Sequence, residues 1–240
     1  MSGYIDLHCH YLPGIDDGVR SAEEGVALCR ALAELGFGAV VATPHMRTAM
    51  FENTKARIHE VFTRFHDDTS GNEGLPELHV ASEHYLDDVF WARFEAGAIV
   101  PYPGGHAALV ELPPESFPLG LERRFFEMNV RGIRPVLAHP ERYAPLFRGS
   151  AAIAPLVALG VLPLLDLMSL VGHYGRAPKR AAERMLDEGV YFAACSDAHK
   201  PADAPRVGEA IDRLRARIGP DGADALLRTN PRRVLEGRLR

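Results

Sequence analysis

The chain has 240 residues, 47% of them hydrophobic, and 32 acidic against 27 basic side chains give it a formal net charge of −5. That is enough apolar material for a full α/β core, and with no Pro/Gly/Ser-rich linker we expect one domain over residues 1–240. The acidic balance excludes a general nucleic-acid binder, no apolar run approaches the roughly 18 residues that a bilayer span needs, and the opening lacks a basic-plus-apolar leader, so a cytoplasmic protein without membrane insertion is expected.

Residues 4–10 read as an apolar first strand carrying His8 and His10. Two residues apart, both imidazoles should leave the sheet on one side, with Leu7 and Cys9 on the other. The Pro13-Gly14 turn then folds the chain back and offers Asp16 or Asp17 as a nearby oxygen donor. Ser21 with Glu23 and Glu24 forms an N-cap and acidic first turn, and Val26, Leu28, Cys29, Leu32 and Leu35 make a helical stripe stopped by Gly36. A strand over 39–43 ends at Pro44-His45, and a helix over 52–67 leads to a strand over 78–82 that ends at Glu83. A short helix over 87–94 and a turn cluster precede a strand over 107–110 ending at Glu111. Helix 119–130 is followed by strand 134–138, which ends at His139. Helix 151–159, strand 161–167 with Asp166 inside it, and helix 177–188 lead to strand 190–195, which runs into Ser196-Asp197-Ala198-His199. The tail is helical over 208–218 and 223–227, and Thr229-Asn230-Pro231 caps a last turn. Apolar strands separated by amphipathic helices imply a parallel sheet covered on both faces or closed into a barrel.

The placement of ionisable residues points to chemistry. Six of the strands end in His8/His10, His45, Glu83, Glu111, His139 and Asp197/His199, and in a parallel α/β barrel those ends converge on one face. Adding Asp17 gives five imidazoles and four carboxylates, a donor set without thiolate that suits manganese, iron or zinc rather than calcium or copper. His59, His66, His79, His84, His106 and His173 lack this placement and read as surface or packing residues. Nine ligands are too many for one ion. Three divalent ions against four carboxylates would leave a formal charge of about +2, which favours a dianion such as a phosphate monoester. Cys9, Cys29 and Cys195 form no Cys-x-x-Cys pair, and none has an Arg six positions later, which removes a cysteine-nucleophile phosphatase loop; Gly-x-Ser-x-Gly and the P-loop pattern are missing too.

The run from Asp6 to Gly18, with Thr43-Pro44-His45, Glu83, Glu111-Leu112-Pro113, Ala138-His139-Pro140-Glu141-Arg142-Tyr143, Ser196-Asp197-Ala198-His199 and Asn230-Pro231, resembles the PHP superfamily, named for polymerase and histidinol phosphatase. Within it the chain is similar to the bacterial manganese-dependent protein-tyrosine phosphatases of capsule and exopolysaccharide operons. The resemblance implies a distorted (β/α)7 TIM-like barrel with a trinuclear site, three divalent ions with manganese first, and phosphotyrosine on a bacterial tyrosine autokinase as substrate. By position, His8, His10, Glu83 and Asp197 would hold one ion, Glu83 bridging to a second held by Glu111 and His139, with Asp17, His45 and His199 on the third. The candidate catalytic residues are Arg142, Arg206 and His199, the two arginines for the phosphate; Arg206 follows His199 later than the family's second arginine does, and Met46 departs from the usual residue after Thr-Pro-His. A hydroxide bridging two ions is expected to attack phosphorus in line. For Arg142 the competing role is a structural pair with Glu141 or a nearby acid. The competing functions are a small-molecule phosphomonoesterase such as histidinol phosphatase, and a non-enzymatic regulator that docks on the kinase.

Overall fold

A computed structural model describes residues 3–239. Strand β1 (Tyr4–Cys9) leads through the Asp16-Asp17 loop to helix α1 (Ala22–Glu34), whose N-terminus is capped by Ser21 accepting from the Glu24 amide. Then come β2 (Phe37–Ala42), the two-residue β3 (His45–Met46), α2 (Lys55–Thr69), β4 (Glu77–Val80), β5 (Glu83–Tyr85), α3 (Asp88–Glu95) and β6 (Ala107–Glu111). After α4 (Leu121–Val130) and β7 (Arg134–Ala138) the chain makes two 3-10 turns and enters α5 (Ala154–Ala158). Strand β8 (Leu162–Asp166), α6 (Leu167–Leu170), α7 (Arg176–Asp187), β9 (Ala193–Cys195), α8 (Ala204–Asp224) and α9 (Asn230–Leu235) complete it. Among the described residues no helix is long and apolar enough to cross a membrane.

All strand pairs are parallel, in the orders β1-β2-β4 and β3-β5-β6-β7-β8-β9. The two sheets share their courses. Pro44, which has no N–H to give a ladder, separates β2 from β3, yet the Ala81 amide still donates to Ala42 O and the Glu83 amide to Pro44 O across the break. At the other margin Cys9 bridges Ala198, the Asp197 amide donates to His8 O and the His10 amide to Ala198 O. Seven courses thus follow one another around a ring, as the sequence leads one to expect.

The side-chain period of two divides the core. Ile5, Leu7, Ala39, Val41, Ala107, Leu109, Val136, Ala138, Leu164, Ala193 and Cys195 meet inside the ring, where Val234, Leu235 and Leu239 also pack. Val40, Ala42, Ala108, Val110, Leu137, Leu165 and Ala194 face the helices instead. One expectation is corrected here: Leu7 and Cys9 do not share a side. The β1–β2 register shifts between Asp6 and Cys9, so Leu7 packs inside the ring while Cys9 joins the helix-side layer.

Other differences are local. Strand 161–167 ends earlier, at Asp166, whose side chain caps α6 by accepting from the Met168 amide at 2.8 Å. The tail helix begins at Ala204 and bends at Gly219, where φ is 76° ahead of Pro220. Because Leu164 is fully enclosed inside the ring, Leu164→Ala should lower unfolding free energy by about 2–5 kcal/mol, read from denaturant melts.

Candidate metal centre

The inward register continues past the apolar layer into the site. Two residues on from Leu109, Leu164 and Cys195 stand Glu111, Asp166 and Asp197; two on from Ala81 stands Glu83. His8 and His10 come inward through the register shift in β1. His139 follows inward-facing Ala138 and would point outward in regular strand; its left-handed φ of 35° re-aims it.

Short contacts tie these groups together. His8 Nε2 lies 3.1 Å from Asp197 Oδ1, 3.2 Å from Glu83 Oε2 and 3.1 Å from His10 Nε2. Glu83 also meets His45 Nδ1 at 2.8 Å and His139 Nε2 at 2.9 Å. Asp17 Oδ1 stands 3.4 Å from His45 Nε2 and 3.5 Å from His199 Nε2. All nine expected ligands fall into four overlapping groups: His10, Asp17, His45 and His199; His8, His10 and Asp197; His8, Glu83 and His139; His45, Glu83 and Glu111. Glu111 groups with His45 and Glu83, and His139 with His8 and Glu83, so Glu83 is common to both.

Neighbouring groups aim the ligands. Asp16, the other candidate of the Asp16-Asp17 pair, accepts from His10 Nδ1 at 2.8 Å and so turns the opposite ring nitrogen toward the cluster. His199 Nδ1 donates to Asp197 O at 2.8 Å. Asp6, which the sequence reading passed over, is fully buried and its Oδ1 accepts the amides of His8 and Ser196, pinning β1 to the segment after β9.

The electrostatics call for cations. Burial and the adjacent Glu83 push the Glu111 carboxyl up to about 7, and its Oε2 is buried without a hydrogen-bond partner. Burial and Arg142 pull His139 down to about 4. For His45 burial is outweighed by Glu83 and Asp17, which hold it well above its ordinary value. Facing ring nitrogens on His8 and His10, a buried unpaired carboxylate oxygen and a donor set of imidazole and carboxylate fit divalent ions.

Arg142 stands beside the cluster on the 3-10 turn Pro140–Arg142. Its Nη1 lies 2.7 Å from Asp197 Oδ2 and 3.7 Å from Asp166 Oδ2, and its guanidinium lies over the Tyr174 ring at 4.4 Å. It does pair with acids, but not with Glu141. That carboxylate is fully buried and accepts the Asp166 amide, Ser169 Oγ and Tyr191 Oη. A cavity of about 500 Å³ opens over these groups, lined among others by Asp17, Arg20, Arg142, Tyr174, Asp197, His199 and Lys200. Arg206 is exposed on α8 and does not line it. His173 lines it as well, and of the histidines set aside, His84 is a core residue, pulled down to about 4 by burial, whose Nε2 accepts the Val100 amide. Asp166, Tyr174, Arg20 and Lys200 were not singled out from sequence; for Asp166 the period of two was the available signal.

The family model for "Capsular polysaccharide synthesis, CpsB/CapC" matches residues 4–236. The chain is 27% identical over 197 residues to the tyrosine-protein phosphatase YwqE of Bacillus subtilis, covering 81% of this chain and 77% of that protein. It is 26% identical over 243 residues to the tyrosine-protein phosphatase CpsB of Streptococcus pneumoniae, covering 98% and 99%. The solved structures of YwqE from B. subtilis and CpsB from S. pneumoniae, described as "unique metal-dependent tyrosine phosphatases", include a chain that superposes with a TM-score of 0.88 at 24% identity, over 96% of this chain and 94% of that one. A phosphotriesterase homology protein from Escherichia coli, complexed with phosphate, shares the fold at a TM-score of 0.57 and 13% identity, over 97% and 98%.

The loop that delivers Asp16 and Asp17 has no room to spare: a Cβ on Gly18 would stand 2.3 Å from His10 O and 2.6 Å from His10 Cβ. Gly18→Ala should therefore displace the loop, cost about 1–3 kcal/mol of stability, and lower the number of divalent ions retained per chain after desalting, measured by elemental analysis.

Proposed function

The chain belongs to the capsular polysaccharide synthesis family CpsB/CapC, and on that premise we propose that it is a metal-dependent protein-tyrosine phosphatase. The observation that carries this reading is the clustering of nine nitrogen and oxygen ligands beside a cavity lined by three of them, Asp17, Asp197 and His199, and by the Arg142 guanidinium. The names of the relatives, tyrosine-protein phosphatases matched over 81% and 98% of the chain, support the phosphotyrosine specificity. On this reading the site holds three divalent ions, manganese first, and the substrate is the phosphorylated tail of a bacterial tyrosine autokinase in the cytoplasm, in the control of capsule and exopolysaccharide synthesis.

When bound, divalent ions lower the pKa of coordinated water from roughly 15.7 toward 7 and draw charge from the phosphoryl oxygens. The protein's own residues do the rest. His8, His10, Asp17, His45, Glu83, Glu111, His139, Asp197 and His199 would hold the ions, and Asp6 and Asp16 keep their segments in place. Arg142, anchored by Asp197 and Tyr174, offers forked donors to the phosphoryl oxygens. A tyrosine leaving group, with a pKa of about 10, departs with less protonation than a serine alkoxide needs. Cys9, Cys29 and Cys195 are all buried, their thiols are pushed up by burial, and none lines the cavity. No cysteinyl phosphate is expected.

Metal-stripped protein should release phosphate from a phosphotyrosine peptide only when Mn²⁺ is returned, faster than from the matched phosphoserine peptide. His45→Ala should lose most of this activity. Turnover of small monoesters such as histidinol phosphate, with neither peptide hydrolysed, would overturn the protein-phosphatase reading. Arg142→Ala should cut kcat/KM by about 10²-fold with the bound-metal content unchanged; loss of metal in that variant would overturn its role on the phosphate.

A further inference from the structure

Arg20 occupies a ridge between two concavities. It lines the cavity over the metal cluster and also an adjoining cleft of about 280 Å³, whose other basic residues are Arg57 and Arg64 on α2. Its backbone is fixed by the same loop that delivers Asp16 and Asp17: the Gly14 amide donates to Val19 O and the Val19 amide to His10 O. Its guanidinium makes no hydrogen bond or ion pair among the described residues, whereas Arg142 has one nitrogen, Nη1, on Asp197.

The nearby acids do not cancel it. Glu24 Oε2 accepts the Arg20 amide, and Asp203 Oδ2 accepts the amides of His199 and Lys200, so these two carboxylates are turned to backbone, while Asp17 and Asp197 belong to the ligand cluster. In the cleft, Glu60 faces Arg57 at 3.2 Å and Asp68 faces Arg64 at 3.9 Å. Both pairs are exposed, and such pairs are weak enough for an incoming carboxylate to replace. Three guanidinium groups against two carboxylates leave the cleft positive, over an apolar floor of Val61 and Phe65.

We propose that the substrate is an acidic peptide segment that runs from the metal cavity over Arg20 into this cleft. With phosphotyrosine at the metal cluster, a neighbouring Asp or Glu meets Arg20, Arg57 and Arg64, and an apolar side chain covers Val61 and Phe65. The inference rests on the phosphatase reading and adds to it a subsite, formed by Arg20, Arg57 and Arg64, for acidic residues that flank the phosphotyrosine.

The test uses full-length metal-loaded protein and two phosphotyrosine peptides, alike except that glutamates or lysines flank the phosphotyrosine, with p-nitrophenyl phosphate as a small substrate. Wild-type kcat/KM should favour the acidic peptide by about three- to ten-fold at low salt, and the preference should shrink as salt rises. In the double variant Arg57→Glu/Arg64→Glu, whose substitutions lie on the exposed face of α2, the ratio should fall to one or reverse. A wild-type ratio near one, or a preference unchanged in the double variant, would overturn the proposal. If wild-type protein turns over neither the peptides nor p-nitrophenyl phosphate, the phosphatase reading falls, and this inference with it.

Discussion

Glu83 is the group on which the site depends. Its carboxylate is buried against His8, His45 and His139, at 3.2, 2.8 and 2.9 Å. An ionised carboxylate taken out of water costs several kcal/mol unless partners compensate, and here the compensation creates a second conflict. The imidazoles that favour the Glu83 anion crowd one another, with His8 and His10 nitrogens 3.1 Å apart, while the Glu83 anion, together with burial, pushes Glu111 up to about 7. Protons cannot satisfy every member at once, since each added proton that helps a carboxylate turns an imidazole against its neighbour. Divalent ions satisfy both kinds of donor together.

Holding such a cluster is the work of the ring. Its apolar interior ends one layer below the carboxylates, so Glu83, Glu111, Asp166 and Asp197 rise from a floor of Ala81, Leu109, Leu164 and Cys195 that cannot yield without opening a cavity. Tyr102 Oη donates to Leu7 O inside the ring, and Asp6 ties the first strand to the segment after the last. His8 in the first strand and Asp197 just after the last are therefore held by the closure of the sheet itself, through the Asp197 amide on His8 O.

Most of this was legible in the sequence because one rule, alternation at a period of two, sets both the core and the ligands. Strand 134–138 coincides with β7, and the ligands after it and its neighbours were found because they stand at strand ends. What was missed has local causes. The register shift at Asp6–Cys9 is a backbone event that no side-chain pattern marks, so His8 and His10 were expected inward for a reason that put Leu7 on the wrong side. Asp166 was read as strand interior because Leu167 continues the apolar run; only the α6 cap shows where the strand stops. Arg20 and Lys200 lie in loops, where no periodicity predicts which way a long basic side chain faces.

Exposure then sorts eight of the nine ligands by role, with Glu111 half-buried between the two sets. His8, His10, Glu83, His139 and Asp197 are buried, whereas the side chains of His45, His199 and Asp17 are 14%, 28% and 55% exposed. Of the exposed three, Asp17 and His199 border the mouth, and the stacking of His199 on the His10 ring at 4.0 Å joins the two sets. Buried ligands are fixed by packing and by Asp6; those at the mouth are fixed chiefly by the Asp16-Asp17 loop, which closes on His10 through the Gly18 and Val19 backbone. Arg20 follows directly in that loop. The segment that completes the metal centre is therefore the one that carries the basic ridge at its entrance, so any shift of the loop would act on ion retention and on substrate contact together.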